Sequence, residues 1–412
     1  MSGGGDRPRV VLGVTGGIAV YKACELLRLF TESGHDVTVV PTAAALEFVG
    51  APTWAALSGK PVAADVWHDV HEVPHVRIGR SADLVVVAPA TADVLARAAH
   101  GLAGDLLTNT LLTAGCPIVF APAMHTEMWE HAATQDNVAT LRRRGALVLE
   151  PAEGRLTGAD TGKGRFPDPA EVFAVARDVL DRSGAANLLD LSGRHVVVSA
   201  GGTREFLDPV RFLGNRSSGL QGYALARTAA SRGAEVTLVA ANVSLPDPAG
   251  VKVVPVQTTA ELRDAVRSSA PVADAVVMAA APADYRPTEV SGTKMKKADD
   301  GSAPVLRLAQ NPDILAELAH DRPRAGLVVV GFAAETGEPG RSVLDLATAK
   351  LARKGCDLLV VNDVSGGRVF GSQDNEAVVL DSAGGRTPVP RGTKSALAHV
   401  VWDRVVALLG DG

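Results

Sequence analysis

Apolar residues along this chain alternate between short continuous runs and helical stripes, and the alternation recurs. Residues 9–42 read RVVLGVTGGIAVYKACELLRLFTESGHDVTVVPT. The run VVLGV carries no polar alternation, as expected of a strand buried on both faces of a parallel sheet. TGG makes a tight turn. Ile18, Ala19, Ala23, Leu26, Leu27 and Phe30 then recur near a 3.6-residue period, the mark of an amphipathic helix. Gly34 stops that helix and DVTVV supplies the next strand, completing a βαβ unit. The plan returns at 195–242, where HVVVSAGGTRE is strand and turn, YALARTAASRG is helix and AEVTLVAAN is strand. SADLVVVAPATAD (81–93) and VADAVVMAAAPADY (272–285) echo one another, each a strand ending in small residues, Pro and Asp. The pattern predicts an α/β fold of two doubly wound domains. The polar, small-residue stretch DRSGAANLLDLSG (181–193) is the natural join, so the expected domains are 1–186 and 187–412.

Composition narrows the function classes. A chain of 412 residues with 46% hydrophobic content has the material for two cores. Aromatics at 4% leave little for stacking platforms, and a net charge of −5 argues against a general nucleic-acid binder. Cys24, Cys116 and Cys356 form no CxxC pair and no disulfide framework, which fits a reducing compartment. The N-terminal MSGGGDRPRV has no apolar signal core, and no apolar run reaches membrane-spanning length. The expectation is a soluble cytoplasmic protein with neither nucleic acid nor membrane as partner.

In the first half, GVTGGIAVYK places Thr15, Gly16 and Gly17 at a helix N-terminus, where free N–H groups and the helix dipole attract a phosphate. A plain tight turn is the competing reading. Thr42 follows the second strand and Thr91 follows VVVAPA, so three strand ends carry small hydroxyl residues where open parallel sheets bind ligands. No GxGxxG is present, which removes the usual dinucleotide fingerprint. WHDVHEVPHVRIG (67–79) contains His68, His71 and His75 without cysteines or carboxylates at metal-ligand spacing, so no metal site is assigned. His75 is the pocket candidate among them. APAMHTEMW (121–129) sets His125 between two methionines at a strand exit, either in a pocket or on a solvent-facing loop.

In the second half, SAGGTREFLDPVRFLGNRSSG (199–219) gathers Arg204, Arg211, Arg216, Asn215, Ser217 and Ser218 behind a glycine turn. So many anion-competent groups in one loop point to phosphate binding, with the glycine turn expected to supply backbone donors. MAAAPADYRP (278–287) ends a strand in Asp284, and KMKK (294–297) follows in a charged loop. Lys350 and Lys354 are one helical turn apart and can face one anion.

These motifs carry a resemblance. GVTGGIAVYK, PHVRI, APATAD and PAMHTEMW resemble the flavin-dependent cysteine decarboxylases. With NRSSG, PADYRP and KMKK added, roughly residues 9–405 resemble the bifunctional family that joins phosphopantothenoylcysteine decarboxylase to phosphopantothenate–cysteine ligase. The resemblance implies a flavodoxin- or Rossmann-like FMN domain followed by a Rossmann-like ligase domain. It gives Thr15, Gly16, Gly17, Thr42 and Thr91 to FMN, makes His75 the active-site base, and puts Met124 and His125 at the substrate. The implied flavin chemistry oxidises the cysteinyl thiol to a thioaldehyde, which supplies the electron sink for loss of CO₂. For the ligase it gives Asp284, Lys294, Asn311, Pro312, Asp313, Ile314, Phe332, Lys350 and Lys354 to the nucleotide. Lys294 would stabilise charge at the reacting phosphate, Asn215 would hold an acyl-cytidylate, and Arg211 would bind substrate. The implied co-substrates are CTP with Mg²⁺, 4′-phosphopantothenate and cysteine. Trimeric decarboxylase and dimeric ligase contacts would combine into a dodecamer.

Two positions depart from the family motifs. His125 stands where the family has Asn, and Gly158, in LTGADTGKGR (156–165), stands where its flap carries a proton-donating Cys. Another proton donor, water included, is expected there. The competing functional readings are a flavin oxidoreductase with an unrelated nucleotide-binding half and a flavin-binding regulatory protein. Turnover with CTP, phosphopantothenate and cysteine separates them from the enzyme.

Overall fold

A computed structural model describes residues 7–62, 73–156, 160–182, 188–296, 303–335, 342–363 and 374–410. The chain divides into two compact units, Met1–Asp190 and Leu191–Gly412. Both are doubly wound α/β units.

In the first unit five parallel strands, β1 (Arg9–Val14), β2 (Asp36–Pro41), β3 (Leu84–Ala90), β4 (Ile118–Pro122) and β5 (Leu147–Val148), lie in the order β2-β1-β3-β4-β5. Every residue of β3 is buried, as its unbroken LVVVAPA run requires between two helix layers. Helices Val20–Glu32 and Pro169–Asp181 bury Leu26, Phe30, Val172 and Val175 on one face of the sheet. Helices Ala92–His100, Leu106–Thr113 and Ala132–Arg143 bury Leu95, Leu107 and Val138 on the other. Strand order reverses between β1 and β3, so the crevice outside their carboxyl ends is the place for a ligand. A short antiparallel hairpin, β6 (Ala152–Arg155) and β7 (Thr161–Arg165), follows the sheet.

The main sheet of the second unit has eight strands among the described residues. They are β8 (His195–Gly201), β11 (Glu235–Ala241), β12 (Val251–Val256), β13 (Ala275–Met278), β16 (Val328–Glu335), β17 (Leu358–Asp363), β18 (Asp374–Asp381) and β19 (Arg386–Thr393). Their order is β12-β11-β8-β13-β16-β17-β18-β19, with only β18 and β19 antiparallel to their neighbours. The reversal falls between β8 and β13. Two small antiparallel pairs stand outside the sheet, β9 (Arg204–Phe206) with β10 (Phe212–Gly214), and β14 (Tyr285–Pro287) with β15 (Leu308–Gln310). Trp402, on the last helix (Lys394–Gly410), is fully buried, and its indole N–H donates to Leu225 O at 2.9 Å. Among the described residues, no helix is long and apolar enough to cross a membrane.

Candidate functional site

Four of the five predicted ligand residues of the first unit, Thr15, Gly16, Gly17 and Thr91, lie at the ends of β1 and β3, and Thr42 follows the neighbouring β2. Thr15 Oγ1 donates to Pro89 O at 2.7 Å and accepts from Thr91 N at 3.2 Å, which ties the end of β1 to the end of β3. Thr42 and Thr91 are helix N-caps, accepting from Ala45 N and Val94 N. Gly16 is forced by packing, since a Cβ there would stand 2.5 Å from Ala44 Cβ. A Cβ on Gly17 would meet only Thr91 Cγ2, at 3.9 Å, which leaves open space beside the turn. The helix Val20–Glu32 begins without a side-chain cap, its Val20 and Lys22 N–H groups donating to the carbonyls of Gly17 and Ala19 in the turn.

His75 is held one layer away, on the helix Pro74–Ser81. Its carbonyl accepts from Thr113 Oγ1 at 2.8 Å, and Gly79 lets the two helices close, as a Cβ there would lie 2.3 Å from that same hydroxyl. The second helix carries Leu107, whose side chain covers Gly13 of β1. Nδ1 of His75 is buried and has no hydrogen-bond partner among the described residues. His68, His71 and Gly158 lie outside the described residues.

Met124 and His125 form the turn after β4. Met124 N donates to Gly164 O at 2.9 Å, so the β6–β7 hairpin is seated on this turn. Gly164, at φ +153°, must be glycine, because a Cβ would fall 2.3 Å from Met124 O. His125 opens the helix Thr126–Glu130 with its carbonyl accepting from Trp129 N, and its ring is exposed.

The second unit contains a cavity of about 480 Å³ outside the ends of β13, β16 and β17. Asn215, Asp284, Asn311, Pro312, Asp313, Ile314, Phe332, Lys350 and Lys354 all line it, although they come from five separate segments. Asn215 Nδ2 donates to Pro282 O at 2.8 Å. Asn311 is a strut, donating to Ala283 O at 2.9 Å and accepting from Arg286 at 3.1 Å. Lys354 pairs with Asp313, which also caps the helix Ile314–His320. Burial works to raise the Asp313 pKa, but the Lys354 ammonium and the Ala316 N–H hold it below the usual carboxylate value.

The glycine turn after β8 does not present its backbone to a ligand, contrary to the sequence expectation. Gly202 N donates to Ala241 O, Thr203 N to Ala281 O and Arg204 N to Gln257 O, and a Cβ on Gly201 would lie 2.1 Å from Ala241 O. The chain leaves the turn into the β9–β10 pair, and the helix on β8 starts only at Leu220, after Gly219 at φ +77°. Gly222 presses that helix onto the strand, its Cβ position being 2.4 Å from Ala200 Cβ. The anion-facing helix N-terminus therefore belongs to Arg216, Ser217, Ser218 and Gly219, all at the cavity.

Lys294 and Arg211 are not among the cavity-lining residues. Arg211 pairs with the fully buried Asp208 at 3.1 Å and donates to Met295 O. Asp208 also accepts from the backbone N–H groups of Val210, Arg211 and Met295. Burial pushes its pKa up, and these donors outweigh that and hold it low. The loop bearing Lys294 is thus pinned, with Lys294 itself exposed. Lys297 lies outside the described residues.

Known proteins bear on both units. The family model "DNA/pantothenate metabolism flavoprotein C-terminal domain" matches residues 191–409, and the model "Flavoprotein" matches residues 3–180. A coenzyme A biosynthesis bifunctional protein CoaBC of Mycobacterium tuberculosis (strain ATCC 25618 / H37Rv) is 57% identical over 406 residues, 97% of each chain. The chain belongs to the bifunctional coenzyme A biosynthesis (CoaBC) family. The CoaBC protein of Mycolicibacterium smegmatis is 56% identical over 409 residues, 98% of each chain. A solved C-terminal domain of a CoaBC protein is 32% identical and covers 54% of this chain and 100% of its own, with a TM-score of 0.46.

Among the polar cavity residues of this CoaBC family member, Gln221, Asn362 and Lys394 escape the sequence motifs. Gln221 donates to Lys394 O at 3.1 Å, and Lys394 and Asn362 complete the wall. Asn362 had one available signal, since VVND ends a buried strand at its carboxyl end. Lys394 had none, lying in a segment far from every motif.

Proposed function

We infer that this bifunctional enzyme of coenzyme A biosynthesis ligates in residues 187–412 and decarboxylates in residues 1–186. The carrying observation is the second-unit cavity, which Arg216, Lys350, Lys354 and Lys394 line together with Asn215 and the helix N-terminus at Ser217–Gly219. That is a site for a polyanion next to an amide able to orient a carbonyl.

In the ligase, CTP phosphates rest on Ser217–Gly219 and the surrounding cations. The carboxylate of 4′-phosphopantothenate attacks the α-phosphate, a P–O bond breaks and pyrophosphate leaves. The amine of cysteine then attacks the acyl carbonyl, forming the amide and releasing CMP and a proton. Asn215 keeps one amide N–H and its Oδ1 for the acyl-cytidylate, the other N–H being bonded to Pro282 O. Mg²⁺ would enter with the triphosphate, and the exposed Asp284 lines the same cavity as part of the nucleotide site.

Lys294 and Arg211 belong to a projecting region with an exposed apolar face that includes Phe212, Tyr285, Val290 and Leu308. Such a face supports a dimer in which this region of one copy meets the cavity of the next, bringing Lys294 to the reacting phosphate and Arg211 to the substrate. A cytoplasmic homo-oligomer, up to the dodecamer that trimeric and dimeric contacts would generate, follows the same reading.

In the decarboxylase, FMN fits the β1/β3 crevice, with phosphate at the uncapped helix start beyond Gly17 and the hydroxyls of Thr15, Thr42 and Thr91 around it. Bound FMN supplies the two-electron oxidation and reduction that make a cysteinyl carboxylate able to lose CO₂. His75 moves the proton through its half-buried imidazole, His125 and Met124 hold the substrate, and the β6–β7 hairpin shields the turn that carries them.

The direct test is turnover with CTP, 4′-phosphopantothenate and carboxyl-labelled cysteine. Pyrophosphate and labelled CO₂ should appear together. Pyrophosphate alone would reduce the first unit to a flavin-binding module, and neither product would overturn the reading. The packing around Gly16 gives a second expectation. A valine there must displace Ala44, so Gly16→Val should purify without its yellow chromophore while pyrophosphate release persists. An unchanged visible spectrum would contradict the assignment of this turn to FMN.

A further inference from the structure

Behind the wall of the second-unit cavity lies a chain of buried polar groups. Glu205, Thr203 and Thr259 are all buried, and none of them lines the cavity. Glu205 belongs to β9, and Thr259 begins the helix Thr259–Ser269. Glu205 Oε1 accepts from Thr259 N at 2.9 Å and from Thr259 Oγ1 at 2.8 Å. A carboxylate can only accept, so it takes the single proton of the Thr259 hydroxyl. The lone pairs of that hydroxyl are left for Thr203 Oγ1 at 3.0 Å and Asn311 Nδ2 at 3.3 Å. Both of those atoms must then donate. Thr203 Oγ1, having given its proton, accepts from Ala283 N at 2.8 Å. One carboxylate thus sets the donor direction all along the chain.

The chain ends on two segments that do line the cavity, one carrying Ala283 and Asp284 and the other Asn311. Asn311 ties them together, its Nδ2 donating to Ala283 O at 2.9 Å and its backbone N to Asp284 O at 2.8 Å. With Nδ2 committed to Thr259 and Ala283, Oδ1 is turned to Arg286, at 3.1 Å. An amide flipped end for end would set its oxygen against the Thr259 lone pairs and the Ala283 carbonyl, which is costly in a part-buried site.

We propose that Glu205 is a positioning residue of the ligase. Through Thr259 and Thr203 it holds the Ala283–Asp284 and Asn311 segments in the shape that receives the nucleotide, without touching the nucleotide itself, and this rests on the CTP-dependent reading given above. The competing role is that of an anion which only anchors the start of the helix Thr259–Ser269, through Thr259 N. The two roles fail differently. A displaced cavity wall weakens nucleotide binding, whereas a loosened helix lowers the amount of folded enzyme and leaves the remainder with a native KM.

The test measures CTP-dependent pyrophosphate release by the full-length protein, with steady-state constants for CTP and for cysteine. Glu205→Ala should raise KM for CTP roughly 5- to 20-fold, with kcat and KM for cysteine close to native. Glu205→Gln keeps an acceptor for both Thr259 bonds and should restore most of that loss. Thr259→Val keeps the backbone N–H that anchors the helix and removes only the hydroxyl, so it separates the two roles even where the alanine variant does not fold. It should raise KM for CTP by a similar factor. Because Glu205 acts through Thr259, combining Glu205→Ala with Thr259→Val should be no worse than the poorer single variant. A native KM for CTP in Thr259→Val overturns the proposal and leaves Glu205 as a helix anchor. A glutamine variant as impaired as the alanine variant, or additive effects in the double variant, overturns it as well. Absence of CTP-dependent pyrophosphate release in the native protein is a different failure, that of the ligase reading itself.

Discussion

Replacing His75 with alanine should abolish CO₂ release and leave pyrophosphate release close to its native rate. Removing a positioned acid–base group from a proton-transfer step costs roughly 10²- to 10⁴-fold. His75 belongs to the first unit, while every residue lining the ligase cavity belongs to the second. Nδ1 of His75 is buried with no hydrogen-bond partner among the described residues. The backbone there is anchored independently, through Thr113 to the His75 carbonyl, so losing the ring need not release the helix. Labelled CO₂ and pyrophosphate measured on one preparation, with the flavin spectrum as a check on folding, decide the matter. Equal loss of both products would break the assignment of separate sites to separate halves.

The second large effect is expected at Asn215. Asn215→Ala should slow amide formation by roughly 10²- to 10³-fold, the usual loss when an oriented donor is removed from an acyl-transfer site. Pyrophosphate release in a single turnover should survive, because the cations and the helix N-terminus proposed to hold the triphosphate are untouched. The outcome to measure is an acyl-cytidylate that persists long enough to be trapped. Asn215 sits with its carbonyl against Gly202, where a Cβ would lie 2.6 Å from that oxygen. Its backbone is thus fixed by the turn rather than by the side chain, and the truncation should test chemistry and not loop position. Equal slowing of pyrophosphate release and amide formation would place Asn215 in nucleotide binding instead.

The features that could be read from sequence were those carried by local regularity. Unbroken apolar runs predicted β1, β3 and β8, and Thr42 and Thr91 were legible as hydroxyl residues just past the apolar runs of β2 and β3, while their capping of the next helices is visible only in the structure. Lys350 and Lys354 were legible from their four-residue spacing. Three-residue strands leave no periodic trace, so the β9–β10 pair was invisible, and with it the fact that Gly201 and Gly202 spend their backbone on the strand's neighbours. The antiparallel extension was equally hidden. Pro388 and Pro390 argue against a strand, yet β19 is the edge of its sheet, where a missing N–H costs little. Asn362 and Lys394 were illegible for another reason. Their importance lies in the space they face, which only the folded sheet creates.

Each of the four hydrophobic clusters draws its side chains from one unit alone, Leu188 and Leu189 packing with the first and Leu191 with the second. A two-state melting temperature is therefore the wrong summary of this chain. On the proposed reading, flavin would lend its binding free energy to one set of cores and nucleotide to the other, so the supply of each ligand would protect its own half against unfolding and proteolysis. In a cell short of flavin, the half exposed to degradation would be the one that releases CO₂, and the amide-forming half would outlast it.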